Sequence, residues 1–317
     1  MSKRRIGMNR IFAVTRLAFL AVGALPAAAC AKPMLNLQDC IAAPDGKTTL
    51  VADIRKETVF GLAKDVEHRP VRFLAGDKEL GVAVGGEDGI SILECTLPDK
   101  RIETIQATAD IDGVELRAEA RVFRWDPRRV VVVLDIDDTI CRTDMDDVLF
   151  DEEDDSKAFK NARETLTALT DDYELLYLTA RPSFLLEKTK KWLAMREFPA
   201  APVIVSHRKT DLLRQGVFKE RVLVRLKRSW PNILIGVGDR ATDADAYGEA
   251  GILSIIISKK VDDDFGRHSL LMPDWATIKA FFANNRKVLT DPRTCRDAVD
   301  GKQPLLLVVN PFNKKEN

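Results

Sequence analysis

The sequence predicts an α/β chain: a doubly wound parallel sheet of alternating strands and helices, preceded by an all-β sandwich. Three observations carry this. Val130–Leu134, Tyr173–Leu178 and Ile233–Val237 are unbroken apolar runs, as strands buried on both faces require. The stretches 183–196 and 217–229 between them have helical spacing. Residues 34–127 instead show period-two alternation between Gly- and Asp-containing turns. A length of 317 residues suits about two domains of ordinary size. The 45% hydrophobic content supplies real cores and excludes a wholly disordered chain. The balance of 49 Lys+Arg against 49 Asp+Glu excludes a chain that is basic throughout, so no nucleic-acid partner is expected.

Residues 1–31 hold Lys3, Arg4, Arg5, Arg10 and Arg16 with no acid, then an apolar stretch from Leu17 to Ala29. That stretch is short of the about 20 apolar residues a spanning helix needs. A basic start, a short apolar run and small residues at its end read as a signal peptide, predicting export to the periplasm or medium. Cleavage fits after Ala29 or after Ala31, and Cys30 alternatively offers a thiol for lipid attachment. Without the five basic residues of this segment the chain has 44 bases against 49 acids, a net charge of −5. Of the five cysteines (30, 40, 95, 141 and 295), Cys40 and Cys95 are the pair expected to bridge in an oxidising compartment. No CxxC or Cys/His cluster occurs, which argues against a zinc site.

The elements follow in order. Val71, Phe73 and Ala75 alternate with polar neighbours, and so do Leu80, Val82 and Val84, up to Gly85-Gly86-Glu87-Asp88-Gly89. Ile90 and Ile92 resume beyond that turn, which predicts a hairpin there. Ile111-Asp112-Gly113 is a second turn, with Val114, Leu116, Ala118, Ala120 and Val122 on one face after it. Several short strands in about ninety residues suggest a sandwich, and the pattern resembles immunoglobulin-like modules of bacterial secreted proteins. The texture changes at Trp125-Asp126-Pro127. Beyond Tyr173–Leu178 come strands at Val203–Val205, Ile233–Val237 and Ile252–Ile257, with a helix at Asp243–Ala250. Residues 291–317 read as a polar tail whose one apolar run, Leu305–Val309, adds an edge strand or docks on the core.

The unusual residues fall at strand ends, where ligands of open parallel sheets bind. The first strand runs into Asp135-Ile136-Asp137-Asp138-Thr139. Two carboxylates two residues apart leave a strand end on one side and can divide nucleophilic attack from proton transfer. The second strand ends in Thr179-Ala180-Arg181-Pro182, offering a hydroxyl and backbone N–H groups to a phosphoryl oxygen. Gly238-Asp239-Arg240-Ala241-Thr242-Asp243 follows the Ile233–Val237 strand and supplies carboxylates for a hard cation, Mg²⁺ by preference. A lysine between the second and last motifs would stabilise the charge on the nucleophile and the phosphoryl group, and Lys209 and Lys219 compete. Lys219 opens a helix with Val222, Leu223 and Leu226.

Together these motifs resemble those of the haloacid-dehalogenase superfamily of phosphohydrolases: DxDx[TV] at 135–139, a strand-end Thr179, and GDxxxD at 238–243. The resemblance covers about residues 128–290. Finer likeness is to lipin-type phosphatidate phosphatases and the related lipid-transfer-protein C-terminal domain (LNS2-like). It rests on Asp135–Thr139 followed by Thr143-Asp144, on Tyr177-Leu178-Thr179-Ala180-Arg181, on Phe218-Lys219, and on Gly236–Asp243 with Tyr247. Lipins differ in carrying another kind of N-terminal domain and in being intracellular.

The resemblance implies a Mg²⁺-dependent phosphomonoester hydrolase in which Asp135 forms an aspartyl-phosphate and Asp137 serves as acid and then base. It implies phosphoryl and substrate contacts from Thr139, Thr179, Arg181 and Lys219. The metal would be held by Asp135, the Asp137 main-chain carbonyl, Asp239 and Asp243. Forty residues separate Thr139 from Thr179, and forty more reach Lys219, leaving no room for a large cap. An open site takes bulky substrates, such as a lipid headgroup at an anionic membrane. Charge is polarised: residues 135–155 hold eleven acids against Arg142, and 181–230 hold thirteen bases against four acids. The likeness to lipin-type enzymes implies phosphatidate as one candidate substrate. Nucleotides or other small phosphomonoesters, as for secreted acid phosphatases, are the alternative. A phosphatidate-binding module without catalysis is the reading outside enzymes, and the intact Asp135/Asp137 pair opposes it.

Overall fold

The computed structural model describes residues 32–57, 63–142, 156–258, 265 and 269–307. The expected signal segment with Cys30, the Thr143-Asp144 pair and the acidic run from Asp144 to Asp155 lie outside the described residues. Among the described residues no helix is long and apolar enough to cross a membrane.

The chain is mixed α/β with several sheets. The larger unit is built on six parallel strands: β10 (Val131–Leu134), β13 (Glu174–Pro182), β14 (Val203–Ser206), β15 (Ile233–Gly238), β16 (Leu253–Ile257) and β17 (Ser269–Met272). Their spatial order is β14-β13-β10-β15-β16-β17, the doubly wound arrangement, with its switch point between β10 and β15. Successive residues of β10 face opposite layers. Val132 and Leu134 join a core with α1 (Ala162–Leu169), α2 (Leu186–Met195) and α5 (Trp275–Asn284). Val131 and Val133 join a second core with α3 (Gln215–Lys227) and α4 (Ala241–Glu249). This is why the strand is apolar throughout. A two-stranded pair, β11 (Cys141–Arg142) with β12 (Lys157–Ala158), flanks the first strand-end loop.

The smaller unit holds β1 (Pro33–Leu37), β2 (Cys40–Ile41), β3 (Lys47–Glu57), β4 (Ala63–Asp65), β5 (Pro70–Ala75), β6 (Lys78–Val84), β7 (Ile90–Thr96), β8 (Thr104–Ile111) and β9 (Val114–Phe123). One sheet joins β1, β3, β4 and β7, and the other has the order β2-β9-β8-β5-β6. Leu37, Leu50 and Ile54 of the first share one core with Phe73, Ile105 and Ala107 of the second. The β8–β9 turn is a two-residue Asp112-Gly113 loop with φ of 55° and 84°, the left-handed pair a tight hairpin needs.

Several expectations are corrected. The Gly85–Gly89 segment is no hairpin: β6 pairs with β5 and β7 with β3, so it carries the chain from one sheet to the other. Val82 and Val84 do not face the core but are 49% and 62% exposed. A bulge places Leu80 as an extra residue between the pairs Phe73↔Gly81 and Leu74↔Glu79, which reverses the faces beyond it. Cys40 and Cys95 are free thiols on strands of different sheets, and burial pushes the Cys40 thiol up to about 12. The second strand runs on to Pro182, so Thr179 and Arg181 lie within it. The expected tail begins as a helix: after α6 (Arg286–Leu289) comes α7 (Pro292–Val299), capped by Asp291 and seating Cys295 at 0% exposure in the core. Leu305 packs on that core, while Leu306 and Leu307 are exposed.

The two units meet along β14, an edge strand of the six-stranded sheet. Its outward N–H groups are bonded by side chains of the β unit: Val203 N donates to Asp39 at 3.2 Å and Val205 N to Gln38 at 3.3 Å. An edge covered in this way cannot pair with another chain. Beside it lies a buried polar knot. Asp53 accepts from Asn36 Nδ2 at 2.9 Å, Arg55 Nε at 2.8 Å and the hydroxyl of Ser183, and His207 Nδ1 lies 3.3 Å away. Arg55 also bonds the His207 carbonyl.

Candidate active site

Asp135 leaves β10 with its N–H still bonded to Val237 O at 3.0 Å, so the first strand-end carboxylate is held at the switch point beside β15. The next turn wraps the Ile136 carbonyl, which accepts from the N–H groups of Thr139, Ile140 and Cys141. That tight wrap puts Asp138 at φ 55°, a conformation aspartate tolerates. Trp275 Nε1 pins the turn by donating to Thr139 O at 2.8 Å.

The last motif is shaped by what its glycines leave room for. A Cβ on Gly238 would lie 2.6 Å from Asp243 Oδ2, so the Asp243 carboxylate folds back over the strand end. There it accepts the N–H groups of Asp239 at 3.2 Å and Arg240 at 3.1 Å and ties down the first turn of α4. Tyr247 lies over Gly236 in the same way, its hydroxyl donating to Val237 O at 3.1 Å.

α3 brings in the cation. Lys219 is 2% exposed, and its ammonium lies 2.6 Å from Asp135 Oδ1 and 2.5 Å from Asp243 Oδ1. Lys209, the rival, sits on the β-unit side, 3.1 Å from Asp65 and largely exposed. Burial raises the Asp135 carboxyl, with Lys219 pulling the other way and Asp243 and Asp137 adding repulsion. Asp239 rises to about 7 through burial and the nearby Asp243. Burial would lower Lys219, but Asp135 and Asp243 outweigh it and hold the ammonium charged. Asp135, Asp239 and Asp243 each offer a carboxylate oxygen within 4.8 Å of the others. Three carboxyl groups crowd one ammonium in a buried place, and oxygen donors at this spacing fit a hard divalent cation.

The other expected residues take different places. The Asp137 side chain is not in that group: Arg181 grips it with Nε at 3.0 Å and Nη2 at 2.8 Å, and Thr179 Oγ1 donates to it at 3.1 Å. Arg181, expected to meet substrate, is 3% exposed and engaged by Asp137 and by Thr189 Oγ1 at 3.2 Å. Thr139, also expected to meet substrate, is fully buried and donates to Asp239 at 3.2 Å and Asp135 at 3.4 Å. Both residues orient the carboxylates. Sequence reasoning missed Thr189, which lies in a lysine-rich helix that reads as a solvent face, and Trp275, for which no local signal exists. The arrangement places one carboxylate against a buried ammonium and another, two residues on, against a guanidinium, so the two differ sharply in surroundings.

The family described as LNS2 (Lipin/Ned1/Smp2) matches residues 103–260. The match begins earlier than the expected 128 and takes in the β8–β9 hairpin of the β unit. No curated protein matches the chain. Among solved structures, a protein described as the core domain of a phosphoglycolate phosphatase from Streptococcus pneumoniae TIGR4 is 16% identical, covers 49% of this chain and 96% of its own, and has a TM-score of 0.31. The M1 domain from titin is 18% identical over 28% of this chain and 93% of its own, with a TM-score of 0.21.

Proposed function

With residues 103–260 belonging to the LNS2 (Lipin/Ned1/Smp2) family, we propose that the protein is a Mg²⁺-dependent phosphomonoester hydrolase of the haloacid-dehalogenase type. One observation carries the reading: Asp135 at the switch point is held 2.6 Å from the buried Lys219 ammonium, and Asp137 stands two residues on under Arg181 and Thr179.

Asp135 attacks phosphorus, and the leaving alkoxide takes a proton from Asp137, giving an aspartyl-phosphate. Asp137 then removes a proton from water as that water attacks the phosphorus, returning Asp135. The Arg181 fork and the Thr179 hydroxyl fix which way Asp137 faces in both steps. Lys219 offsets charge on the nucleophile and the phosphoryl oxygens. Asp135, Asp239, Asp243 and the Asp137 main-chain carbonyl would hold Mg²⁺. Bound there, the cation supplies positive charge to the phosphoryl oxygens.

Phosphatidate is the substrate we favour within this class, supported by the family of residues 103–260. We further infer export, on the basic and apolar pattern of residues 1–31. The test is phosphate release by the purified full chain with Mg²⁺, using phosphatidate in detergent micelles beside nucleotides and sugar phosphates. Wild type is expected to release phosphate, and Asp135→Asn to abolish release. Silence of wild type across the panel would leave a non-catalytic phosphate binder in place of an enzyme.

A further inference from the structure

We propose that the β unit is a clamp on this site, with Asp53 and Ser183 as positioning residues that set the orientation of Asp137 through Arg181. The proposal rests on the reading of Asp137 as the proton donor and acceptor. Arg181 is held at two ends. Its Nε and Nη2 bond Asp137, and its Nη1 bonds Thr189, which is fully buried in α2. Where Arg181 places Asp137 therefore depends on where α2 and the turn leading into it stand.

That segment is gripped from the β unit at two points. Ser183, two residues after Arg181 and 1% exposed, donates its hydroxyl to Asp53. Lys190, next to Thr189, lies 2.9 Å from Asp39. Asp53 is itself rigidly held. It has no exposure and is bonded by Asn36 and Arg55 from its own sheet, while Arg55 also takes the His207 carbonyl at the end of β14. With both members of the Asp53–Ser183 contact buried, no solvent stands ready to replace a lost partner. The grip falls on the loops after β13 and β14, at the same strand ends that carry the site.

Small displacements of a reacting group are costly in rate, with an ångström worth on the order of a hundredfold. Removing the Ser183 hydroxyl should thus slow turnover without weakening substrate binding. The experiment compares the full wild-type chain with Ser183→Ala and Asp53→Asn, using p-nitrophenyl phosphate and Mg²⁺. Ser183→Ala is expected to lower kcat by about tenfold or more while KM stays within about twofold, as for an interaction felt in the transition state. A second readout needs no activity: nitrogen-15 NMR of arginine side chains, with the Arg181 Nε–H assigned from its loss in Arg181→Lys. In wild type this N–H is expected to exchange slowly with water, and in both variants about tenfold faster. Unchanged exchange and unchanged kcat in a folded Ser183→Ala protein would overturn the clamp. If Asp53→Asn does not fold, Ser183→Ala decides alone. If wild type hydrolyses no phosphomonoester, the proposed activity fails while the Arg181 exchange still decides the clamp.

Discussion

Gly236 and Gly238 sit two residues apart on β15, and each has a side chain folded directly over it. A Cβ would lie 2.7 Å from the Tyr247 ring at Gly236 and 2.6 Å from Asp243 Oδ2 at Gly238. Neither backbone is left-handed, so the constraint is space. Gly236→Ala and Gly238→Ala should each cost about 1–3 kcal/mol by overpacking, read from urea midpoints. Their activities should separate. At Gly238 the group displaced is a carboxylate of the proposed cation site, so phosphate release should fall at least about tenfold and need more Mg²⁺. At Gly236 the displaced group is a ring, and release should stay near wild type. Equal losses in the two variants would remove the cation role argued for Asp243. At this scale the sequence was readable where chemistry follows spacing: Asp135, Asp239, Asp243 and Lys219 do converge. It was unreadable where a residue's partner is remote. Nothing local says that Arg181 faces Asp137, 44 positions away, or that Thr139 bonds Asp239, 100 positions away.

Elements were legible in proportion to how fully they are buried. The unbroken apolar runs became central parallel strands because both of their faces are covered. β17 carries no clear strand signal because three of its four residues are only half-buried. α7 lies in a stretch whose polarity reads as tail, although Asp291-Pro292 carries the cap and first-turn proline of a helix start. The bulge at Leu80 and the sheet change at Gly85–Gly89 leave no pattern of their own, since alternation on either side continues. β14 shows what an element needs beyond its own sequence. As an edge strand its Val203 and Val205 N–H groups would be open, and Asp39 and Gln38 satisfy them from the other unit. Asp39 also takes Arg121 N at 3.1 Å and pairs with Lys190. Asp39→Ala should therefore destabilise the chain by about 1–3 kcal/mol, the cost of buried donors left without partners. Amide exchange at Val203 should speed up more than at Val131 in β10, which is bonded within the sheet. If both amides lost protection equally, Asp39 would be supporting the whole fold and not the edge.

The molecule as a whole is joined through ionisable groups, and this makes its stability depend on acid. Asp53 lies between the units with Asn36 and Arg55 from β1 and β3 and with Ser183 and His207 from the other side; Asp65 faces Arg55 from β4. Burial alone would raise the Asp53 carboxyl, but the nearby His207 ring, with Arg55 and Ser183, outweighs it and holds it at about 2. A carboxyl lowered on folding stabilises the folded state fully above its unfolded value near 3.8. That contribution fades as pH falls from about 4 toward 2, as the unfolded chain takes up a proton the folded one refuses. A shift of this size is worth roughly 2 kcal/mol. Asp53→Asn has no such carboxyl, so its stability should fall less steeply than wild type below pH 4. The measurement is the urea midpoint of wild type and variant at half-unit steps from pH 2.5 to 6. Converging stabilities toward the acid end are expected, with Asp53→Asn the weaker protein at pH 6. Parallel curves would mean that the Asp53 carboxyl titrates alike in the folded and unfolded chains and that its charge does not help to hold the junction.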